Sequence, residues 1–190
     1  MIKAVIFDCF GVLVGKGFEN TYRSAGGDPT RDRNFIDSTL NSANLGLISD
    51  QEFREAMAGK IGISVKDWRV AVETVELPNE ELLAFIKNLR PKYKTAILSN
   101  ANLGVLGRKI GVEHLKECFD EVIVSAEIGL VKPDPKIYTF TADKLGVAPE
   151  ECVFVDDKQI FLDAANKLNM HVILYSDFDS FKNNLNSILN

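Results

Sequence analysis

Five short runs of aliphatic and β-branched residues, separated by segments with helical periodicity, constrain the fold of this chain more than any other feature. Near-continuous apolar runs are typical of strands that are buried on both faces, and such strands belong to parallel sheets covered by helices. The pattern therefore predicts an α/β fold, a Rossmann-like parallel sheet with helices on both faces. The predicted strands are residues 4–7, 94–99, 121–125, 152–156 and 171–175.

One long segment interrupts this alternation. From about residue 15 to residue 77 no strand pattern stands out, whereas two helix starts are clear: SDQE at 49–52, which is a capping box, and SVKD at 64–67. We therefore expect a small all-α insertion directly after the first strand. The predicted division is a core of residues 1–14 and 81–190 and a helical insert of residues 15–80.

Composition excludes several classes of protein. Hydrophobic residues make up 46% of the 190 residues and charged residues 26%, as in ordinary globular proteins, and no apolar run approaches the roughly 18 residues of a membrane helix. The first residues do not resemble a signal peptide, so we expect a cytoplasmic protein without a membrane partner. A net charge of −5 without a Lys/Arg cluster argues against nucleic acid.

The three cysteines, Cys9, Cys118 and Cys152, are widely spaced and odd in number, which favours reduced thiols over a disulfide framework or a zinc site. Cys9 adjoins Asp8 and could be considered as a nucleophile. Because neighbouring side chains of a strand point to opposite faces, burial of Cys9 in the core is the favoured interpretation.

Polar side chains follow four of the predicted strands, at the point where each strand ends. Each of them alone could serve as a turn cap, a helix cap or a solvated side chain. The carboxyl ends of parallel strands meet at one edge of a sheet, however, and ligands of such sheets bind there. We therefore expect these residues to converge: Asp8 after the first strand, Ser99 and Asn100 after the second, Lys132 after the third, and Asp156 and Asp157 after the fourth.

Carboxylates brought together in this way repel one another by about 4 kcal/mol for a pair at about 4 Å and an effective dielectric constant near 20. A divalent cation would relieve the repulsion, and oxygen ligands favour Mg²⁺ completed by water and a substrate phosphate. Lys132 and the Ser99 hydroxyl can then bind the remaining phosphoryl oxygens. Asp8 can attack phosphorus and form an aspartyl-phosphate.

Four motifs surround the polar residues at these strand ends. In chain order they are VIFDCFGVL, ILSNA, GLVKPDPKIY and VFVDDKQIFLDAANKLNMHVIL. They resemble the four motifs of the haloacid dehalogenase (HAD) superfamily, in the family's order and at ordinary spacing. The resemblance covers the whole chain apart from the helical insert, whose position is similar to that of the C1 cap of subfamily I. Response-regulator receivers, which also use Asp, Ser/Thr and Lys, place the acidic pair after the first strand instead.

The resemblance implies a role for each of these residues. It implies that Asp8 is the nucleophile, that Lys132 stabilises charge, and that Ser99, Asn100 and Lys132 bind the substrate phosphate. It further implies that Mg²⁺ is bound by Asp8, the main-chain carbonyl of Phe10 and the acidic pair, with Asp157 as the more direct ligand and Asp156 beside it.

Phe10 departs from the pattern of the family's phosphatases, which usually carry a second Asp two residues after the nucleophile. That Asp protonates the leaving alcohol and then activates water, and its main-chain carbonyl binds the metal. Phenylalanine keeps the carbonyl and loses the acid. A general acid and base of this kind contributes roughly 10²–10⁴-fold to the rate, so the substitution bears on rate and on the choice of substrate.

Three functions are compatible with these residues. The first is a Mg²⁺-dependent phosphatase that acts on a small phosphate ester. The second is a 2-haloacid dehalogenase, since these enzymes also lack the second Asp; they usually carry Tyr at this position and need no metal, and the pair Asp156 and Asp157 argues against this function. The third is a non-catalytic HAD-like protein that binds a metabolite or a partner, which the loss of the acid at Phe10 would favour.

Overall fold

The computed structural model describes residues 1–15 and 17–189 and is built on one sheet of five parallel strands. The strands are β1 (Ala4–Phe7), β2 (Lys94–Ser99), β3 (Glu121–Val124), β4 (Cys152–Asp156) and β5 (His171–Leu174). Their order in the sheet is β3-β2-β1-β4-β5, which places the first strand of the chain at the centre. The predicted parallel α/β fold is confirmed, and β3 and β5 each end one residue before the predicted boundary.

Eleven α-helices accompany the sheet in the described part of the chain. Four of them follow β1 directly: α1 (Phe18–Ser24), α2 (Arg33–Asn44), α3 (Asp50–Ile61) and α4 (Val65–Val75). The others alternate with the remaining strands: α5 (Glu80–Leu89), α6 (Val105–Ile110), α7 (Val112–Cys118), α8 (Ser125–Ile128), α9 (Pro135–Leu145), α10 (Gln159–Asn166) and α11 (Phe178–Leu189). A short 3₁₀ turn, Pro149–Glu151, precedes β4.

Helices cover both faces of the sheet because its strands are apolar on both sides. On one face, Phe7 of β1 packs against Phe181 of α11, with ring centroids 5.8 Å apart, in a cluster that also contains side chains of α5, α6 and α7. On the other face, Phe154 of β4 packs against Tyr138 of α9 at 5.4 Å. Cys9, Cys118 and Cys152 are buried free thiols in these layers.

The register of the sheet brings three strand ends to one level. Phe7 pairs with Ile97 of β2 and with Val155 of β4. Asp8 is therefore level with Asp156, the last residue of β4. The carboxyl ends of the three central strands thus share one edge, where the candidate site lies.

Helices α1 to α4 form the helical insert, which has a small core of its own around Tyr22, Met57 and Trp68. Ser49 caps α3 in a capping box with Glu52. The chain enters and leaves the insert through two adjacent segments: Val14 and Pro78 form an antiparallel bridge, next to which the amide of Gly15 donates to the carbonyl of Leu77 at 2.8 Å.

The insert lies over the carboxyl edge of the sheet. The Ser125 hydroxyl at the end of β3 donates to the carbonyl of Asn44 at 2.6 Å. The Asn102 side chain, shortly after β2, donates to the carbonyl of Ile48 at 3.1 Å. These bonds hold the loop between α2 and α3 against the strand ends. No helix in the described ranges is long and apolar enough to cross a membrane.

Inside the insert, Asp32 is a carboxylate that is only 4% exposed. It accepts hydrogen bonds from the guanidinium of Arg31 at 2.9 and 3.1 Å and from the hydroxyl of Tyr22 at 3.0 Å, and Lys60 lies 3.5 Å away. The bonds from Arg31, aided by Tyr22, hold the pKa of Asp32 below its ordinary value of 3.8 although burial acts in the opposite direction.

We expect Asp32→Asn to lower Tm at pH 7 by roughly 2–4 °C, because the substitution removes a buried ionic network. Since the pKa of Asp32 is lower in the folded than in the unfolded chain, its contribution is fully present above the unfolded value and decreases as the pH falls toward the folded value. Calorimetric scans should therefore show the difference in Tm shrinking as the pH is lowered from about 5 to about 2.5.

The matched control is Asp37→Asn, which removes the same charge from an exposed position of α2. It should leave Tm nearly unchanged at each pH. An Asp32→Asn variant with the Tm of the wild type at pH 7 would contradict the stabilising role of this carboxylate.

Candidate active site

A buried ammonium group lies at the centre of the site. Lys132, in the loop after α8, is 3% exposed, and its Nζ is 2.7 Å from Asp8 Oδ1 and 2.7 Å from Asp156 Oδ2. The rings of Phe154 and Phe161 lie 5.3 and 4.9 Å from the same nitrogen. The ammonium thus joins the ends of β1 and β4 and is enclosed by aromatic faces.

The main chain of Lys132 is held by Asn100, the residue after β2. The Asn100 side chain accepts from the amide of Lys132 at 2.8 Å and donates to its carbonyl at 2.9 Å. Predicted as a substrate-binding residue, Asn100 contributes to the cavity wall, but both ends of its amide contact the Lys132 backbone. Its position therefore determines where the ammonium lies.

Burial and unbalanced charge shift the pKa values of this cluster. Burial raises the pKa of Asp8 to about 6, opposed by the charge of Lys132 and assisted by that of Asp156. Burial likewise raises the pKa of Asp156 and the pKa of Asp157 above the ordinary value. Burial alone would lower the pKa of Lys132, but Asp8 and Asp156 together raise it. Lys132 therefore stays charged, whereas the charged form of each of the three acids is less favourable than it would be in water.

The three acids fit a divalent cation. Oxygens of Asp8, Asp156 and Asp157 lie within 4.8 Å of one another. Three carboxylates beside one buried ammonium leave an excess of negative charge, and Asp157 Oδ1 is buried without a hydrogen-bond partner among the described residues. Asp156 is already bonded at both oxygens, by Lys132 and by the amide of Lys158 at 2.9 Å. Asp157 is thus the acid with a free buried oxygen for a cation.

Gly11 allows the loop after β1 to approach this acid closely. Its φ is +97°, and a Cβ at this position would lie 2.4 Å from Asp157 Oδ2. A residue with a side chain would therefore be strained and would displace the carboxylate. The loop that carries Phe10 and the turn that carries Asp157 can meet only because glycine stands here.

Ser99, predicted to bind phosphate, is fully buried, and its hydroxyl has no hydrogen-bond partner in the described part of the chain. A buried hydroxyl left unpaired costs roughly 1–3 kcal/mol. Ser99 is not among the described residues that line the cavity, whereas its neighbours Asn100 and Ala101 are.

A cavity of about 490 Å³ lies between the insert and the core and contains the site. Asp8, Phe10, Lys132 and Asp157 are among the residues that line it. Its walls combine the aromatic residues Phe18, Phe53, Trp68 and Phe161 with the charged residues Asp50, Arg54, Arg69, Glu73, Glu76, Arg108, Lys109 and Lys158.

Most of these wall residues were not identified from the sequence. Trp68 and Phe18 could face the site on sequence grounds, although aromatic residues at helical spacing more often belong to the core; Trp68 is indeed 2% exposed, and both line the cavity. Arg54 and Arg108 are separated by about fifty positions on different parts of the fold. No local pattern marks such a pair, so only the three-dimensional structure reveals it.

A carboxylate, a buried ammonium and an acidic pair at the carboxyl edge of a parallel sheet, beneath a helical insert, are typical of hydrolases that use a carboxylate nucleophile. The sequence-family model of the haloacid dehalogenase-like hydrolases matches residues 2–169 of this chain, so the chain belongs to this family. The protein is therefore a hydrolase of the HAD superfamily, as its four motifs predicted.

Two of the curated relatives that match nearly the whole chain are also matched over most of their own length. A D-ribitol-5-phosphate phosphatase of Bacteroides thetaiotaomicron is 25% identical over an alignment of 208 positions, which covers 100% of both chains. Phosphatase MT3486 of Mycobacterium tuberculosis is 34% identical, over 91% of this chain and 87% of its own length. A shorter match, to (S)-2-haloacid dehalogenase 1 of a Pseudomonas species, is 43% identical over 33% of this chain and 28% of that protein.

Among solved structures, a HAD family enzyme of Bacteroides thetaiotaomicron in complex with magnesium and inorganic phosphate is similar to this chain. Its TM-score is 0.75 at 23% sequence identity, covering 95% of this chain and 99% of that one. This similarity shows a shared fold. The named activities of the two full-length relatives favour a phosphatase among the HAD hydrolases.

Proposed function

We propose that this protein is a Mg²⁺-dependent phosphatase that acts on a small phosphorylated metabolite through an aspartyl-phosphate at Asp8. The observation that carries the proposal is the buried ammonium of Lys132 between Asp8 and Asp156, beside the unpaired oxygen of Asp157. This cluster offers a nucleophile, a cation and oxygen ligands at one end of a cavity. The phosphatase relatives and the magnesium and phosphate of the similar structure support the same activity.

In the first step, Asp8 attacks phosphorus. Lys132 binds Oδ1 of Asp8, which leaves the second carboxylate oxygen to form the bond to phosphorus while the bond from phosphorus to the leaving oxygen breaks. The ammonium compensates the negative charge of the phosphoryl oxygens. In the second step, water attacks the aspartyl-phosphate, inorganic phosphate leaves, and the Asp8 carboxylate is regenerated.

The proposed ligands of Mg²⁺ are Asp8, the main-chain carbonyl of Phe10 and Asp157, with Asp156 held beside them by Lys132. When bound, the ion would neutralise phosphate charge and orient the phosphoryl group. The unpaired hydroxyl of Ser99 is the proposed donor to a phosphoryl oxygen. Asn100 acts mainly by positioning Lys132.

The helical insert, residues 15–80, is the proposed cap domain. Its two connections to the core lie side by side at Val14 and Pro78, which suits a hinge. Movement of the insert about this hinge would admit substrate, and closure would exclude water from the aspartyl-phosphate.

A 2-haloacid dehalogenase is the second candidate, since part of the chain matches such an enzyme and Phe10 lacks the acid of the phosphatases. In that reaction Asp8 would attack carbon instead of phosphorus. The unpaired oxygen of Asp157 favours a metal site, for which a dehalogenase has no use. Dependence of activity on Mg²⁺ therefore separates the two functions.

We expect Asp157→Ala to weaken Mg²⁺ binding by more than about 10-fold, because it removes the acid with an unpaired buried oxygen. Isothermal titration calorimetry with MgCl₂ measures the affinity directly. Asp163→Ala, which removes an exposed carboxylate of α10, is the matched control and should bind Mg²⁺ like the wild type. Equal affinity in Asp157→Ala and the wild type would refute the proposed metal site and favour the dehalogenase.

Because Phe10 cannot donate a proton, we expect a preference for esters whose leaving group departs without being protonated. Aryl and acyl phosphates should be hydrolysed more readily than alkyl phosphates. Phe10→Asp keeps the backbone carbonyl and restores an acid, so it should raise kcat/KM for alkyl phosphates by up to roughly 10²-fold while changing aryl phosphates less. The ratio of the two kcat/KM values is the measurement.

Phe10→Asn is the matched control, because its side chain has the size of Asp and no acidic proton; it should leave the ratio low. Asp8→Asn identifies contaminating phosphatase, since activity that survives it does not come from this site. If Phe10→Asp folds and binds Mg²⁺ but leaves the ratio unchanged, Phe10 does not limit proton transfer. Absence of activity in every variant and in the wild type would favour the non-catalytic function.

A further inference from the structure

The cavity wall contains two arginines that share one carboxylate. They are Arg54 of α3 and Arg108 of α6, here called the arginine pair. Their Nη2 atoms lie 2.5 and 2.7 Å, respectively, from the same oxygen, Asp50 Oδ2. Both line the cavity that holds Asp8. A single carboxylate therefore serves two guanidinium groups, which leaves one positive charge uncompensated.

The other charged residues of the wall are more evenly matched. Lys109 is paired with Glu76 at 2.8 Å, and these side chains are only 13% and 9% exposed. Arg69 lies 3.7 Å from Glu73. Lys158 follows Asp157 in the chain and adds its charge to the acidic cluster. The arginine pair is thus a site of surplus positive charge in a protein whose net charge is −5.

The arginine pair also has unused hydrogen-bond donors. Each guanidinium carries five N–H groups in a planar fork, and the bond to Asp50 engages one amino group of each. Side chains of Arg54 and Arg108 are 27% and 50% exposed, so the remaining donors are accessible. Forked donors of this kind match the geometry of a carboxylate or a phosphate.

The arginine pair lies close to the proposed phosphate end. The bond from Asn102 to the carbonyl of Ile48 holds the start of α3 against the loop after β2, and Asn100 in that loop fixes Lys132. Asp50 is two residues after Ile48, and Asn100 is two residues before Asn102. Each is therefore at most about 7 Å along the chain from this contact. A small molecule with phosphate at Asp8 can therefore reach the arginine pair through the same cavity.

We propose that the arginine pair binds a second oxyanion of the substrate, so that the substrate is a small phosphomonoester that also carries a carboxylate or a second phosphate. This inference rests on the proposed phosphatase function and adds the class of substrate. The aromatic residues Phe18, Phe53 and Trp68 provide an apolar wall for the part of the molecule between the two anions. A cavity of about 490 Å³ holds such a compound.

The test compares aryl phosphates that differ only in the para substituent. The wild type should hydrolyse 4-carboxyphenyl phosphate with a kcat/KM at least about 10-fold higher than 4-carbamoylphenyl phosphate, because only the former is charged at the far end. A third ester, 1,4-phenylene bisphosphate, identifies the preferred oxyanion. Equal kcat/KM values of the wild type for all three esters would overturn the proposal.

Substitutions then assign the preference to the arginine pair. Arg54→Gln and Arg108→Gln should each lower the ratio of the carboxylate to the carboxamide ester toward one. Two variants are needed because the Arg108 bond to Asp50 joins the core to the insert, whereas Arg54 and Asp50 both belong to α3. Arg33→Gln, which removes an exposed cation paired with Glu19 outside the cavity, should keep the wild-type ratio. An unchanged ratio in the variants that fold, judged by circular dichroism, would also overturn the proposal.

A binding measurement separates this proposal from the phosphatase function. The chain has one tryptophan, Trp68, and it lines the cavity, so its fluorescence can report ligand binding. In Asp8→Asn, which cannot form the aspartyl-phosphate, 4-carboxyphenyl phosphate should bind at least about 10-fold more tightly than the carboxamide, and Arg54→Gln in this background should abolish the difference. If the carboxylate ester binds tightly and selectively but the wild type does not hydrolyse it, the phosphatase function is refuted and the oxyanion site is kept. If the wild type hydrolyses the esters without selecting the carboxylate, the oxyanion site is refuted and the phosphatase function is kept.

Discussion

The buried ion cluster of Lys132 with Asp8 and Asp156 is the interaction on which the rest of the structure depends. A charge removed from water is costly unless it is paired, and removal of one partner leaves the others uncompensated. The cluster can form only because β1 and β4 end at the same level and because Asn100, at the end of β2, fixes the Lys132 backbone. The register of the sheet thus determines the geometry of the site.

The same cluster explains why the site suits a cation and a phosphate. One ammonium cannot balance three carboxylates, and Asp157 keeps an unpaired buried oxygen. A divalent ion would relieve this excess of negative charge, and the site would then accept a dianionic phosphoryl group, as proposed. In the same cavity the arginine pair carries the reverse imbalance, two guanidinium groups on one carboxylate. The proposed substrate accordingly carries a second anionic group besides its phosphate.

Sequence patterns predicted the parts of this arrangement that depend on local chain order. The apolar runs located all five strands, and the rule that parallel strands end at one edge predicted that Asp8, Lys132, Asp156 and Asp157 lie together. The role of Asn100 was not predictable, because a hydrogen bond to the main chain of a residue 32 positions away leaves no pattern. The arginine pair was missed for the same reason, since its members meet only when the insert packs on α6.

The most direct test of the central claim is the detection of a phosphoryl group on Asp8. The wild type would be mixed with an aryl phosphate and Mg²⁺, quenched with acid within the first turnover, digested, and examined by peptide mass spectrometry. The proposed function predicts phosphorylation of the peptide that contains Asp8, and none in Asp8→Asn. Hydrolysis of the ester in the wild type with the phosphoryl group on another residue, or with none on Asp8, would contradict it.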